Sequence, residues 1–94
     1  MFVLLLTYVK PLAEVDALMR DHMAWLNEQY EAGRFLVSGR RIPRTGGVIV
    51  ARGDDREEIE ALAATDPFVS GGVATCEVVQ FRASQSAADL EGLI

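Results

Sequence analysis

The chain has 94 residues, 50% of them hydrophobic and 24% charged, the composition of one globular domain. No apolar run approaches the ~20 residues that span a bilayer, and the opening MFVLLLTYV lacks a basic flank, so it reads as a strand and not as a signal peptide. Net charge is −5 with no basic helix, which makes nucleic acid and membrane surfaces poor partners.

Phe2–Val9 is rich in β-formers. Val3, Leu5, Thr7 and Val9 alternate with Phe2, Leu4, Leu6 and Tyr8, so both faces of this first strand are apolar and call for a cover. Pro11 ends it. A helix follows from Leu12 or Ala13 to Ala32, with Gly33 as its stop and nothing in its interior to break it. At about 100° per residue, Val15, Met19, His22, Leu26 and Tyr30 point within about 80° of one another. The only histidine of the chain therefore lies on the apolar face and needs a hydrogen-bond partner, since a buried unpaired polar group costs roughly 1–3 kcal/mol.

Arg34–Ile42 reads as a second strand, with Phe35 and Val37 on one face, Leu36 and Ser38 on the other, and Gly39 marking a bulge or a close approach. Pro43–Gly47 is a loop, and Val48–Arg52 is a third strand that forms a hairpin with the second. Asp54 or Asp55 caps a second helix, with Glu57 or Glu58 completing a capping box and Ile59, Leu62 and Ala63 facing inward. That helix stops near Thr65, because Asp66 precedes Pro67. Phe68–Gly72 is a turn, Val73–Arg82 a fourth strand, and 84–94 a tail with one helical turn around Ala87–Leu90.

The order β-α-β-β-α-β predicts an α+β ferredoxin-like sandwich over residues 1–83, with two helices on one face of a four-stranded antiparallel sheet. The second apolar sheet face has no helix left to cover it. The simplest cover is the same face of another copy, so a homodimer or higher homo-oligomer is expected. Charge is uneven: Arg34–Gly53 holds five arginines and no acid, leaving four basic side chains against fourteen acidic ones elsewhere. This segment is either a partner surface for acidic helices or an anion site. The single cysteine, Cys76, has no disulfide partner within the chain, reads as a small buried residue and fits a cytoplasmic protein.

Asp66 follows the second helix on the same sheet face as His22, so the two can meet. A carboxylate on one imidazole nitrogen fixes the tautomer and leaves the other nitrogen to a ligand. The structural alternatives are a core histidine bonded to a backbone carbonyl and an Asx-Pro turn at Asp66. Ser38 and Gly39 can offer a hydroxyl and a close backbone N–H. Arg40, Arg41 and Arg44 can bind an anionic substrate or pair with acids at the dimer surface, and Tyr8 can line a pocket or cap the core. One histidine and one cysteine do not make a metal site. Gly46-Gly47 and Gly71-Gly72 lack the phosphate-loop and dinucleotide patterns. No metal or cofactor is expected.

A histidine midway along the first helix, Gly33-Arg34-Phe35-Leu36 opening a strand that ends in Ser38-Gly39, then Thr45-Gly46-Gly47-Val48, then Asp66-Pro67-Phe68 and Gly72-Val73, resembles the YCII-related (YciI-like) family. The resemblance runs from the first strand to about Phe81. It implies a dimeric α+β barrel of ferredoxin-like protomers and a His–Asp dyad, here His22 and Asp66, in a small pocket between helices and sheet. One type of member removes chloride from a chlorinated hydroxyquinol, which is acid–base chemistry on a small ring. Many members carry proline directly after the strand-ending glycine, where this chain has Arg40; an arginine at the rim either favours an anionic ligand or closes the pocket. The expectation is a small-molecule lyase, isomerase or dehydrochlorinase-like enzyme with an anionic or phenolic ligand. The alternative is a non-catalytic ligand-binding or accessory module on the same scaffold.

Overall fold

The computed structural model describes residues 1–93 of the chain. Four strands, β1 (Phe2–Tyr8), β2 (Phe35–Arg40), β3 (Gly46–Ala51) and β4 (Ala74–Gln80), form one sheet in the order β2-β3-β1-β4, with every pair antiparallel. This is the ferredoxin-like α+β arrangement expected from the element order. Alternation sets the faces. Phe2, Leu4 and Leu6 of β1 meet Ile49 and Ala51 of β3 and Ala74 of β4 in a core closed by helical side chains including Val15, Trp25, Leu26, Ile59 and Phe68. Each large apolar side chain buried there contributes about 1.5–3 kcal/mol. The opposite face carries Val3, Leu5, Val37, Val48, Val50 and Val79, of which Val37 and Val79 are exposed.

The first helix is not continuous. It divides into α1 (Leu12–Ala17) and α2 (Met19–Glu31), with Leu18 at φ −104°, ψ 2° between them. The Leu18 N–H donates to the Val15 carbonyl at 3.0 Å, a tightened turn, and the α-helical ladder resumes where the His22 N–H donates to Leu18 at 3.0 Å. No glycine or proline marks this break. At the break Leu18 packs against Gly71, where an added Cβ would stand 2.5 Å from Leu18 Cδ1.

The second helix begins and ends as its capping residues direct. In α3 (Arg56–Ala64) the Asp55 side chain accepts from the Glu58 N–H at 3.2 Å, and Thr65 is the C-cap. The segment after it is more regular than the turn expected from sequence. Asp66 caps a one-turn helix, α4 (Pro67–Ser70), with proline at its first position, where no N–H is needed. At the C-terminus a 3₁₀ turn covers Ala88–Leu93 with no buried residue; residue 94 of the expected tail lies outside the described residues.

The bulge in β2 lies at Leu36 and not at Gly39, for which the sequence left a bulge or a close approach open. Phe35 pairs with Ala51 but Val37 pairs with Val50, so Leu36 is the extra residue. The insertion reverses the expected alternation beyond it. Phe35 is 3% exposed and Val37 59%, and Ser38 and Arg40, opposite Ile49 and Gly47, come onto the helix-covered face. A bulge at Gly39 would have kept Ser38 on the face opposite Phe35.

Candidate active site

His22 lies on the second turn of α2, and Asp66 links α3 to α4. The His22 Nδ1 and Asp66 Oδ1 stand 2.7 Å apart, with side-chain exposures of 12% and 1%. The same Oδ1 accepts from the Phe68 N–H at 2.9 Å, so one carboxylate oxygen both caps α4 and holds the imidazole. The other oxygen, Oδ2, is buried without a partner among the described residues. A carboxylate facing Nδ1 selects the tautomer in which Nδ1 carries the proton. Nε2 makes no hydrogen bond among the described residues, and His22 lines a cavity of about 180 Å³.

Aromatic rings lock the imidazole plane. Phe68 stacks on it with centroids 3.9 Å apart and planes 7° apart. Trp25 lies 6.1 Å from it at 29°, and its indole N–H donates to Thr65 Oγ1 at 2.9 Å. Two side-chain bonds, one to Thr65 and one to Asp66, thus join α2 to the end of α3. The side chain of Phe68 is in turn met edge-on by Tyr8 at 5.9 Å.

The cavity has two kinds of wall. Leu6, Met19, Leu26 and Ile49 are apolar; His22, Tyr8, Ser38 and Arg40 bring polar groups. Gly39 contributes backbone, and Gly46 and Gly47 lie alongside. The candidates drawn from sequence therefore converge on one cavity, with Asp66 behind His22 and not on the wall. Sequence reasoning did not assign a role to Tyr30, and it offered Arg44 only as an anion contact or a partner for acids at a dimer surface. The Tyr30 hydroxyl is hydrogen-bonded to Ser38 Oγ; a tyrosine on an apolar stripe needs such a partner, which was the available signal. Arg44 pairs with Asp16 and lies 6.0 Å over the Tyr8 ring. The hydrogen bond from Arg44 holds the Asp16 carboxyl below its ordinary range, and the same bond raises the Arg44 guanidinium.

Cys76 faces the helices from β4 and is half-buried. Burial, with the Asp66 carboxylate adding to it, pushes its thiol up to about 11 from 9.0. An unfolded chain releases this proton near 9 and the folded one near 11, so folded stability is intact below pH 9 and declines as pH rises from about 9 through 11. Chemical denaturation across that window should show a decline that Cys76→Ala flattens. Equal slopes in the two proteins would contradict the burial argument.

Among the described residues no three histidine, cysteine, aspartate or glutamate side chains cluster as metal ligands would, and no helix is long and apolar enough to cross a membrane. The family model of the YCII-related domain matches residues 1–82. No curated protein matches the sequence significantly. Among solved structures, the fold is similar to that of 5-chloro-2-hydroxyhydroquinone dehydrochlorinase (TftG) from Burkholderia phenoliruptrix AC1100 in complex with 2,5-dihydroxybenzoquinone. That similarity has a TM-score of 0.68 at 18% identity and covers 87% of this chain and 94% of that one.

Proposed function

The chain belongs to the YCII-related domain family, and from that membership together with the cavity we propose that it is a small-molecule enzyme in which His22 is the general acid/base and Asp66 its orienter. The carrying observation is the asymmetry of the imidazole: Nδ1 is tied to a buried carboxylate 2.7 Å away, while Nε2 has no partner among the described residues and the ring borders a cavity. A base so placed removes a proton from a bound ligand, and the imidazolium that forms is paired with Asp66. In an elimination, Nε2 takes a proton from carbon, the C–H electron pair becomes the new double bond, and the leaving group departs with the electrons of its own bond. In an isomerisation the proton returns to a different atom. Positioned proton transfer of this kind is worth about 10²–10⁴ in rate.

Tyr8, Ser38, Gly39 and Arg40 are the substrate contacts in this reading. The action of TftG, a dehydrochlorinase by name, is one instance of the elimination. A second copy of the chain covers the outer apolar sheet face, making the unit a homodimer. A reducing cytoplasm suits the free Cys76 thiol.

Nitrogen-15 NMR of the single histidine tests the orientation. The expected spectrum is that of the Nδ1–H tautomer in the wild type, reverting toward Nε2–H in Asp66→Ala at a temperature where that variant is folded. A wild-type histidine already in the Nε2–H form would leave Asp66 without its orienting role and favour the binding-module reading, in which the carboxylate merely caps α4.

A further inference from the structure

Resting on the reading of this cavity as a ligand site, we propose that its ligand is a ring-sized carboxylate whose charge is held by Arg40 and Ser38, with the ring against His22. Three observations lead there.

The first is charge placement. The protein carries −5 overall, yet no aspartate or glutamate lines this cavity and an arginine does. Arg44 is bound to Asp16 and Arg34 to the Gln29 side chain. The Arg40 side chain makes no hydrogen bond or ion pair among the described residues. The Asp16 carboxylate, close enough for the Arg40 charge to help lower its pKa, is bonded to Arg44, and Asp66 is bonded to His22. The guanidinium at the cavity thus has no bonded counter-ion and leaves its fork open, the geometry that matches a carboxylate in two parallel bonds.

The second is the Leu36 bulge. It brings Ser38 and Arg40 together onto the helix-covered face, two residues apart on one edge strand, which spaces them by roughly 6–7 Å. Ser38 Oγ is already hydrogen-bonded to the Tyr30 hydroxyl. With Tyr30 donating to Ser38, the serine proton is free to donate to a ligand oxygen. In that arrangement the strand offers the Arg40 guanidinium and the Ser38 hydroxyl as donors, and the helix opposite offers an acceptor, Nε2.

The third is size. A 150 Å³ apolar cavity takes up benzene, so about 180 Å³ holds one ring with one or two small substituents. The Leu6, Leu26 and Ile49 walls suit the ring, and the polar end suits a carboxylate.

Benzoate and benzamide separate charge from shape. Each is titrated into the intact protein while the His22 ring signals are followed, in wild type, Arg40→Gln and Arg40→Lys. Benzoate should bind the wild type at least about tenfold more tightly than benzamide, and Arg40→Gln should remove most of that difference, as expected for a charge-assisted bond. Arg40→Lys should restore part of it, since lysine keeps the charge and loses the fork. Equal binding of the two probes, or benzoate affinity unchanged in Arg40→Gln, overturns the carboxylate assignment while leaving the cavity as a ligand site. If neither probe moves the His22 signals, the ligand-site reading fails, and this assignment fails with it.

Discussion

Asp66→Ala is expected to lower stability by about 3 kcal/mol, and Asp66→Asn by much less, while both remove most of any turnover. The alanine variant loses the α4 cap, worth about 1 kcal/mol. It also leaves the His22 Nδ1–H without an acceptor, at roughly 1–3 kcal/mol for a buried donor. For a domain of this size that is a melting temperature lower by roughly 10–20 °C. The asparagine variant differs because Oδ1 alone accepts both bonds, at 2.7 and 2.9 Å, and Oδ2 has no partner among the described residues. An amide placed with its oxygen at Oδ1 keeps both bonds, loses the charge that pairs with an imidazolium, and puts its NH2 where Oδ2 already lacked a partner. Turnover, once a substrate is found, should fall by about a hundredfold or more in Asp66→Asn and in His22→Ala. If Asp66→Asn melts as the wild type does and turns over as fast, the carboxylate serves the fold alone. If it melts as low as Asp66→Ala, the shared Oδ1 is not what holds α4 and His22 together.

Gly46→Ala should be the most damaging of the glycine substitutions in the sheet. A Cβ there would penetrate the Leu6 carbonyl group, 2.7 Å from its carbon, and stand 3.1 Å from Thr7 Cα. These are backbone atoms of the central strand β1, which cannot swing aside as a side-chain end does. Either β3 withdraws from β1 at this end or the Thr7–Gly46 pairing is lost. Overpacking a core commonly costs about 1–3 kcal/mol, and contact with immobile backbone places this case at the upper end. Gly39 is the control: a Cβ there meets nothing within 4 Å, so Gly39→Ala should be near neutral. Denaturation midpoints of the two variants give the comparison, and a Gly46→Ala protein as stable as Gly39→Ala would show that β1 and β3 are not closely packed here.

The element order was legible because each boundary carries a local signal: Pro11, Gly33, Asp55 as a cap and Asp66-Pro67 as a stop. The meeting of His22 with Asp66 was also foreseeable, since topology puts the second turn of α2 and the end of α3 on one sheet face. Two features were not legible, for one physical reason. The break at Leu18 and the bulge at Leu36 occur at ordinary leucines whose local preferences are helix and strand. Each sits in a long-range setting that local preference does not carry, Leu18 against Gly71 and Leu36 in the pairing with β3. The consequence was largest at Ser38 and Arg40. Their part in the cavity depends on which side of the sheet they face, and one inserted residue reverses it.

Trp25 is the only tryptophan of the chain, buried, and 6.1 Å from the only histidine. The indole therefore works as a built-in optical gauge of the imidazole. Whatever charges, tilts or displaces His22 alters the quenching of a single indole, which is read apart from the two tyrosines by exciting beyond their absorption band. Occupancy of the cavity can accordingly be followed on the unlabelled protein, including with compounds that are never turned over.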